Sequence, residues 1–159
     1  MKIQSLAENF KKGVMISERV LGKNLTLPIL SNILLDAGKG KITTSATNLE
    51  IGVTCFIRGK VEREGKIAVS GRVLGNFLSN ISDNEKLNIE VKNHTLFVLG
   101  GRSRAAIKGV DAKDFPLIPK PQSDYLLELD APIFQESALK VVGCAASSET
   151  RQELTGVFL

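Results

Sequence analysis

Residues 65–81 read GKIAVSGRVLGNFLSNI, a short apolar strand that runs directly into an amphipathic helix. Ser70 stands at the junction, where its hydroxyl can cap the helix by accepting a backbone hydrogen bond. The apolar residues of the helix recur at the spacing of one continuous stripe: Val73, Leu74, Phe77, Leu78 and Ile81. This stretch therefore predicts a strand at 65–70 and a helix at 72–81 with one buried face.

Two further stretches begin in the same way. Met1–Ala7 leads into a helix near Glu8–Leu21, and Tyr125–Leu129 leads into a helix near Pro132–Ala146. A start that recurs roughly every 60 residues indicates a repeated structural unit. Repeats of one strand–helix–strand unit build a surface more often than a pocket. The pattern therefore favours binding over catalysis.

Local patterns set expectations for the ends of these elements. Ser5 and Glu8 can form a capping box at the first helix, and Asp130 can cap the third. Leu49–Lys60 alternates apolar and polar residues and predicts one long strand. Asp111–Gln122 is rich in proline and predicts a linker. Short strands are predicted after the second helix at Leu87–Val91, Thr95–Leu99 and Ser103–Lys108.

The composition is that of a mildly basic globular protein. The chain has 21 Lys and Arg against 17 Asp and Glu, a net charge of +4, and 43% of its residues are hydrophobic. Cys55 and Cys144 lie far apart without a CxxC pattern, which predicts buried thiols in a reducing compartment and no zinc site. Neither a signal peptide nor a membrane span is visible. These features predict a cytoplasmic protein without contact to a membrane.

Candidates for catalysis are few. The single histidine, His94, falls in a predicted turn, and no Ser/His/Asp set can be assembled around it. The Gly-Lys pairs at residues 22, 40 and 65 are not followed by Ser or Thr, so there is no phosphate-binding loop. The sequence therefore predicts a protein that is not an enzyme and has no catalytic residue, cofactor or metal.

Basic residues cluster on the predicted helices. Lys12 and Lys23 lie on or just after the first, Arg72 opens the second, and Arg151 follows the third. If the helices line one wall, these groups face a common space suited to a phosphate backbone. Ordinary solvated helix faces would give the same distribution, so the residues alone leave both interpretations open.

Four segments carry a family resemblance, in the order LTLPILSNILL at 25–35, TNLEIGV at 47–53, GGRSRAAIKGVDAKDFPLIP at 100–119 and ETRQELTGVFL at 149–159. In sequence, order and spacing they resemble the bacterial DNA polymerase III beta subunit, the replicative sliding clamp. The resemblance implies an α+β clamp fold of repeated strand–helix–strand units, with helices on one face and antiparallel sheets on the other. It places a first clamp domain at 1–120, with repeat units at about 1–64 and 65–110 and a linker, and the start of a truncated second domain at 121–159.

The same resemblance implies a function. Subunits of this family join head to tail into a homodimeric ring that encircles duplex DNA and tethers the polymerase for processive synthesis, without reading sequence. The implied partners are duplex DNA, a second clamp subunit, the DNA polymerase III alpha subunit, the clamp loader and other proteins with a clamp-binding motif. The competing hypothesis is a protein-interaction module that uses its sheet edge and never touches DNA.

Site residues follow from the resemblance position by position. The implied DNA-contacting residues are Lys12, Lys23, Asn24, Arg72, Ser148, Arg151, Gln152 and Glu153. Asn24 stands where relatives often carry arginine, and the aromatic pair of some relatives is missing near Glu153. The implied subunit interface is Leu74, Phe77, Arg102, Arg104, Ala106 and Lys108. Leu154 matches a wall of the pocket that receives partner peptides.

Overall fold

A computed structural model of the chain describes residues 1–22, 27–119, 128–146 and 151–158. The chain divides into two compact units, Met1–Pro119 and Lys120–Leu159. The first unit holds strands β1 Lys2–Leu6, β2 Asn32–Gly38, β3 Lys41–Thr47, β4 Gly52–Ile57, β5 Gly59–Arg63, β6 Gly65–Ser70, β7 Lys86–Lys92, β8 Thr95–Gly100 and β9 Ser103–Val110, with helices α1 Ala7–Glu18 and α2 Gly71–Ser79. The second unit holds helix α3 Ala131–Val142.

The strands of the first unit form two antiparallel sheets that meet along a short seam. The first sheet has the order β4-β3-β2-β6, and the second has the order β9-β8-β7-β1-β5. Only Ala68↔Val110 and Val69↔Gly109 join β6 to β9. Strand β1 precedes α1 in sequence but pairs with β7, whereas β6 precedes α2 but pairs with β2. The two predicted repeats have therefore exchanged their first strands.

One core fills the space between the helices and the two sheets. Fully buried side chains come from α1 (Phe10), α2 (Leu74), the first sheet (Leu35) and the second sheet (Ile89). Along β2 and β8 the buried residues alternate with more exposed ones, as expected when one face of a sheet is covered. The predicted α+β architecture with antiparallel sheets is confirmed.

The helix caps agree with the sequence at two of three places. The Ser70 hydroxyl accepts a hydrogen bond from the Val73 N–H, and the Asp130 carboxylate accepts one from the Ile133 N–H. The capping box at Ser5 is wrong. The Ser5 hydroxyl instead donates to the Arg58 carbonyl at 2.7 Å, because β1 pairs with β5 and brings that carbonyl within reach. Leu6 precedes α1 without a side-chain cap.

The long strand predicted at 49–60 is also wrong. The chain leaves the first sheet after β4, passes through Arg58 and enters the second sheet as β5. At Gly59 a Cβ atom would overlap the Gln4 carbonyl, so the close approach of β5 to β1 requires glycine there. Periodicity alone cannot show that a continuous alternating run changes sheets.

Helices α1 and α2 pack against each other in antiparallel directions. Leu21, just beyond the end of α1, lies beside Gly71 at the start of α2, and Glu18 lies beside Gly75. At the other end, the Lys11 ammonium bonds to the Ile81 carbonyl just after α2. The glycines of α2 let the helices approach closely, so the pair forms one continuous layer over the sheets.

The described part of the second unit is dominated by α3. None of its residues is buried, and several large apolar side chains are more than half exposed, including Ile133 and Leu139. In the same unit the Ala146 N–H donates to the Leu154 carbonyl at 2.8 Å. Within the described ranges, no helix is long and apolar enough to cross a membrane.

Candidate functional site

The exposed sides of α1 and α2 carry two of the cations that the sequence singled out, Lys12 and Arg72. Phe10 and Val14 turn one side of α1 into the core, and Lys12 lies on the opposite, exposed side. Leu74 and Leu78 do the same for α2, which leaves Arg72 exposed. The two helices therefore present Lys12 and Arg72 away from the core.

Arg72 borders a cleft at the junction of the two helices. The cleft has a volume of about 410 Å³ and is also lined by Glu18, Leu21, Gly22, Ser31 and Ser70. Arg72 forms no ion pair with any carboxylate in the described ranges. Its guanidinium is thus available for an anionic ligand. The predicted contacts Lys23 and Asn24 follow Gly22 directly but lie outside the described residues.

Lys11, the neighbour of Lys12 in sequence, is already engaged. Its ammonium lies 2.6 Å from the Asp83 carboxylate, and its side chain is only 16% exposed. The lysine therefore ties α1 to the segment after α2 and is unavailable to an external phosphate. A basic pair in sequence thus divides into one structural lysine and one exposed lysine.

The remaining predicted DNA contacts belong to the second unit. Arg151 and Glu153 are exposed, and Gln152–Leu154 forms a single 3-10 turn. Ser148 and the side chain of Gln152 lie outside the described residues. Leu154, assigned to the peptide pocket, is 51% exposed. Their roles remain predictions.

Strand β9 offers an open sheet edge. Over residues 103–108 it pairs with β8 on one side and, among the described residues, with nothing on the other. Arg104, Ala106 and Lys108 alternate on its exposed face, and Arg102 is exposed in the preceding turn. An open edge with this basic face can receive a partner strand.

One predicted interface residue requires correction. Leu74 is 0% exposed and packs in the core, so it cannot contact a partner while the domain is folded. Val73, assigned by its spacing to the buried stripe, is instead 51% exposed. Phe77 and Ala105 are partly buried against the core. Helix α2, which bears Val73 and Phe77, contacts β9, on which Ala105 lies.

The exposed face of the second sheet carries ion pairs. Lys2 lies 2.7 Å from Glu62, and Glu90 lies 2.8 Å from Lys92 and 3.1 Å from Arg63. The hydrogen bond from Lys2 lowers the pKa of the Glu62 carboxyl, and the one from Lys92 lowers the pKa of Glu90. Because Lys2, Arg63 and Lys92 have carboxylate partners, these three cations are less available to an anion than Lys12 and Arg72.

The described ranges contain no group of three or more His, Cys, Asp and Glu residues that could hold a metal ion. The distinguishing surfaces of the first unit are a helix pair with exposed cations and an open sheet edge.

Known proteins share this architecture and sequence. Residues 1–119 match the family model described as DNA polymerase III beta subunit, N-terminal domain. The beta sliding clamp of Synechococcus elongatus is 26% identical over 161 residues, covering 100% of this chain and 43% of the relative. The chain therefore belongs to the DNA polymerase III beta subunit family, and it spans less than half the length of that curated relative.

Solved structures agree with the fold. The DNA polymerase III subunit beta from Pseudomonas aeruginosa superposes with a TM-score of 0.87 at 22% identity, covering 98% of this chain and 42% of that one. The DNA polymerase sliding clamp from Caulobacter crescentus gives a TM-score of 0.85 at 25% identity, covering 98% and 43%. The clamp fold expected from the resemblance is thereby confirmed.

Proposed function

We propose that this chain is part of a sliding clamp that encircles duplex DNA without reading its sequence and tethers a replicative polymerase to it. The observation that carries the proposal is the antiparallel helix pair, which turns the exposed cations Lys12 and Arg72 away from the core. Cations on a helix layer contact phosphates and carry no base specificity. Relatives that bear the name sliding clamp support the same function. The role is mechanical rather than catalytic and belongs to the cell interior, where the DNA is.

Duplex binding with a measured salt dependence tests this proposal. Each neutralised phosphate contributes about 0.9 to the slope of log affinity against log salt. Reversing both charges, Lys12→Glu with Arg72→Glu, should weaken binding equally on unrelated sequences and reduce that slope by about 2. Anisotropy of a labelled duplex, titrated at several salt concentrations, measures both quantities.

A matched control comes from the second sheet. Lys86 is exposed on β7 and has no ion pair within the described ranges, so Lys86→Glu changes the net charge by the same amount per site. We expect Lys86→Glu to leave most of the affinity in place. Equal losses of duplex affinity in the Lys86→Glu and Arg72→Glu variants would indicate an effect of net charge alone and would contradict a binding site on the helices. Sequence-dependent affinity would contradict it as well.

We also propose that β9 joins a second subunit. The support is its open edge at 103–108, with basic Arg104 and Lys108 on the exposed face, and the contact of β9 with helix α2, which bears Phe77. An acidic partner edge would pair with it, and two copies of the same basic edge would repel. The unmodified chain should therefore not pair through this edge, whereas Arg104→Gln with Lys108→Gln should raise self-association. Sedimentation over a concentration series distinguishes these outcomes, and unchanged sedimentation of the variant would count against the assignment.

Partner proteins are the last part of the proposal. Leu154 is exposed in the second unit, consistent with one wall of a pocket for the motif peptides of the polymerase alpha subunit, the clamp loader and related proteins. A Leu154→Asp substitution should weaken capture of a synthetic clamp-binding peptide by a longer subunit that contains the rest of the pocket. Unchanged capture would remove Leu154 from the site.

A further inference from the structure

The end of the first sheet carries an exposed aromatic ring that the proposed function does not use. Phe56, on edge strand β4, is 75% exposed. Its neighbours Cys55 and Ile57 turn towards the helix and the core, so Phe56 projects from the opposite face of the sheet. On that face Thr54 is within hydrogen-bond distance of Ser45, at 3.0 Å.

Two clefts lie beside β4. One, of about 600 Å³, opens at the strand ends and is lined by Gly40, Lys41, Ile42, Phe56, Ile57, Arg58 and Gly59. The other, of about 350 Å³, lies between α1 and β4 and is lined by Asn9, Lys12, Gly13, Ile16, Cys55, Phe56 and Arg58. Phe56 and Arg58 are the residues common to both clefts, and no acidic residue of the described ranges lines either one.

The charges around the ring are of one sign. The Lys41 ammonium lies 5.9 Å from the centroid of the Phe56 ring, a cation–π distance. Arg58 and Lys12 are exposed and border the clefts. None of these three cations forms an ion pair with a carboxylate in the part of the chain that the structure describes. An anionic ligand with a flat apolar group fits this arrangement.

From this geometry we infer that Phe56, Lys41 and Arg58 form a binding site for single-stranded DNA, with a base stacked on the ring and phosphates at the cations. Aromatic side chains flanked by Lys and Arg bind single strands in this way, independently of sequence. Duplex bases are already stacked on each other and cannot reach the ring. An acidic peptide would pair along the outer edge of β4. It is a poorer fit, because the larger cleft opens at the strand ends and the cations lie near Phe56 instead of along that edge.

The site is separate from the duplex surface proposed above. Lys12 borders the smaller cleft and also lies on the exposed side of α1, so it connects the two surfaces. Binding at this site does not depend on the assembly of a closed clamp, because Phe56, Lys41 and Arg58 all lie in the first unit.

A tryptophan probe tests the stacking directly, because the chain contains no natural tryptophan. Phe56→Trp in the 159-residue chain should lose fluorescence when oligothymidine of about 12 nucleotides is added at low salt. Phe97→Trp is the control, since Phe97 is a 37% exposed aromatic residue on the second sheet that lies directly opposite the carboxylate residue Glu90 of β7. Its fluorescence should not change. Absence of quenching at position 56, or equal quenching at both positions, would overturn the inference.

Affinity measurements complete the test. Phe56→Ala should weaken oligothymidine binding by about tenfold and leave duplex affinity unchanged. Lys41→Glu with Arg58→Glu should weaken it further and lower the salt slope. Oligothymidine affinity that is insensitive to Phe56→Ala would overturn the inference, and so would tighter, Phe56-dependent binding of a polyglutamate peptide. A failure of the duplex proposal would appear separately, as duplex affinity insensitive to Arg72→Glu.

Discussion

A buried pair of hydroxyls fixes α1 to the first sheet, and its removal gives a result that can be worked out from the structure. Ser17 on α1 and Thr44 on β3 are both 0% exposed. The Ser17 hydroxyl donates to the Thr44 oxygen at 3.0 Å, and the Thr44 hydroxyl donates to the Gly13 carbonyl at 3.3 Å. The Thr44 hydroxyl thus connects Ser17 to the Gly13 carbonyl.

The single substitutions differ in what they leave behind. Ser17→Ala removes one hydrogen bond and leaves Thr44 bonded to Gly13, so the free energy of unfolding should fall by about 1 kcal/mol. Thr44→Val leaves the buried Ser17 hydroxyl without its acceptor, which costs about 1–3 kcal/mol. Ser17 can turn to the carbonyl four residues earlier in its helix, that of Gly13, so we expect the lower half of that range.

The double variant distinguishes coupling from additive loss. With both hydroxyls replaced no unpaired donor remains, so the combined loss should be smaller than the sum of the single losses, by about 1 kcal/mol. Urea unfolding of the four chains, followed by far-ultraviolet circular dichroism, gives the coupling energy. Additive losses would show that Ser17 and Thr44 act independently and would refute the reasoning.

Three further outcomes are expected. Gly59→Ala should lower the free energy of unfolding by about 2 kcal/mol, because the added Cβ would overlap the backbone of β1. Gly143→Ala is the control, since no heavy atom lies within 4 Å of its added Cβ and the free energy of unfolding should change little. Urea unfolding compares the two variants. The lowered pKa values of Glu62 and Glu90 mean that their stabilisation is present at neutral pH and lost as pH falls through those values. The melting temperature of the variant Glu62→Gln with Glu90→Gln should therefore lie below that of the parent at pH 7 and approach it as acidic pH protonates both carboxyls. A chain ended after Pro119 should stay soluble at higher concentration than the 159-residue chain, because it lacks the exposed apolar side chains of the second unit; a turbidity series measures this.

Much of the fold could be read from the sequence because it depends on local signals. The spacing of Leu74 and Leu78 and the cap at Ser70 mark α2 independently of the rest of the chain. Pro28 could not lie inside a strand, and β2 indeed begins at Asn32 after a turn of 3-10 helix. Such features are determined by residues within one or two turns of each other.

What could not be read depends on contacts between distant segments. The exchange of β1 and β6 between the repeats leaves no mark on either strand's pattern. The Ser5 hydroxyl was assigned to a cap because its acceptor, the Arg58 carbonyl, is 53 residues away. The sequence also could not show that Lys11 is engaged, because its ion-pair partner Asp83 lies after the other helix of the pair.

For the candidate site, the sequence identified residue types better than exposure. Arg72 and Lys12 are exposed as expected, but Leu74 is buried although its neighbour Val73 is not. Neighbouring residues of a helix can differ between core and surface, and the apolar stripe of α2 was too wide to show which of Val73 and Leu74 is buried. Phe56 was not identified, because an aromatic residue in an alternating strand ordinarily predicts core.

The most direct test of the central claim maps where duplex DNA touches the chain. Amide chemical shifts of isotope-labelled protein should be recorded with and without a short duplex at low salt. We expect the largest changes on the exposed sides of α1 and α2, around Lys12 and Arg72, with little change on the outward face of β7 and β8. Changes centred on that outward face, or none at the helix pair, would contradict a clamp whose helices face DNA.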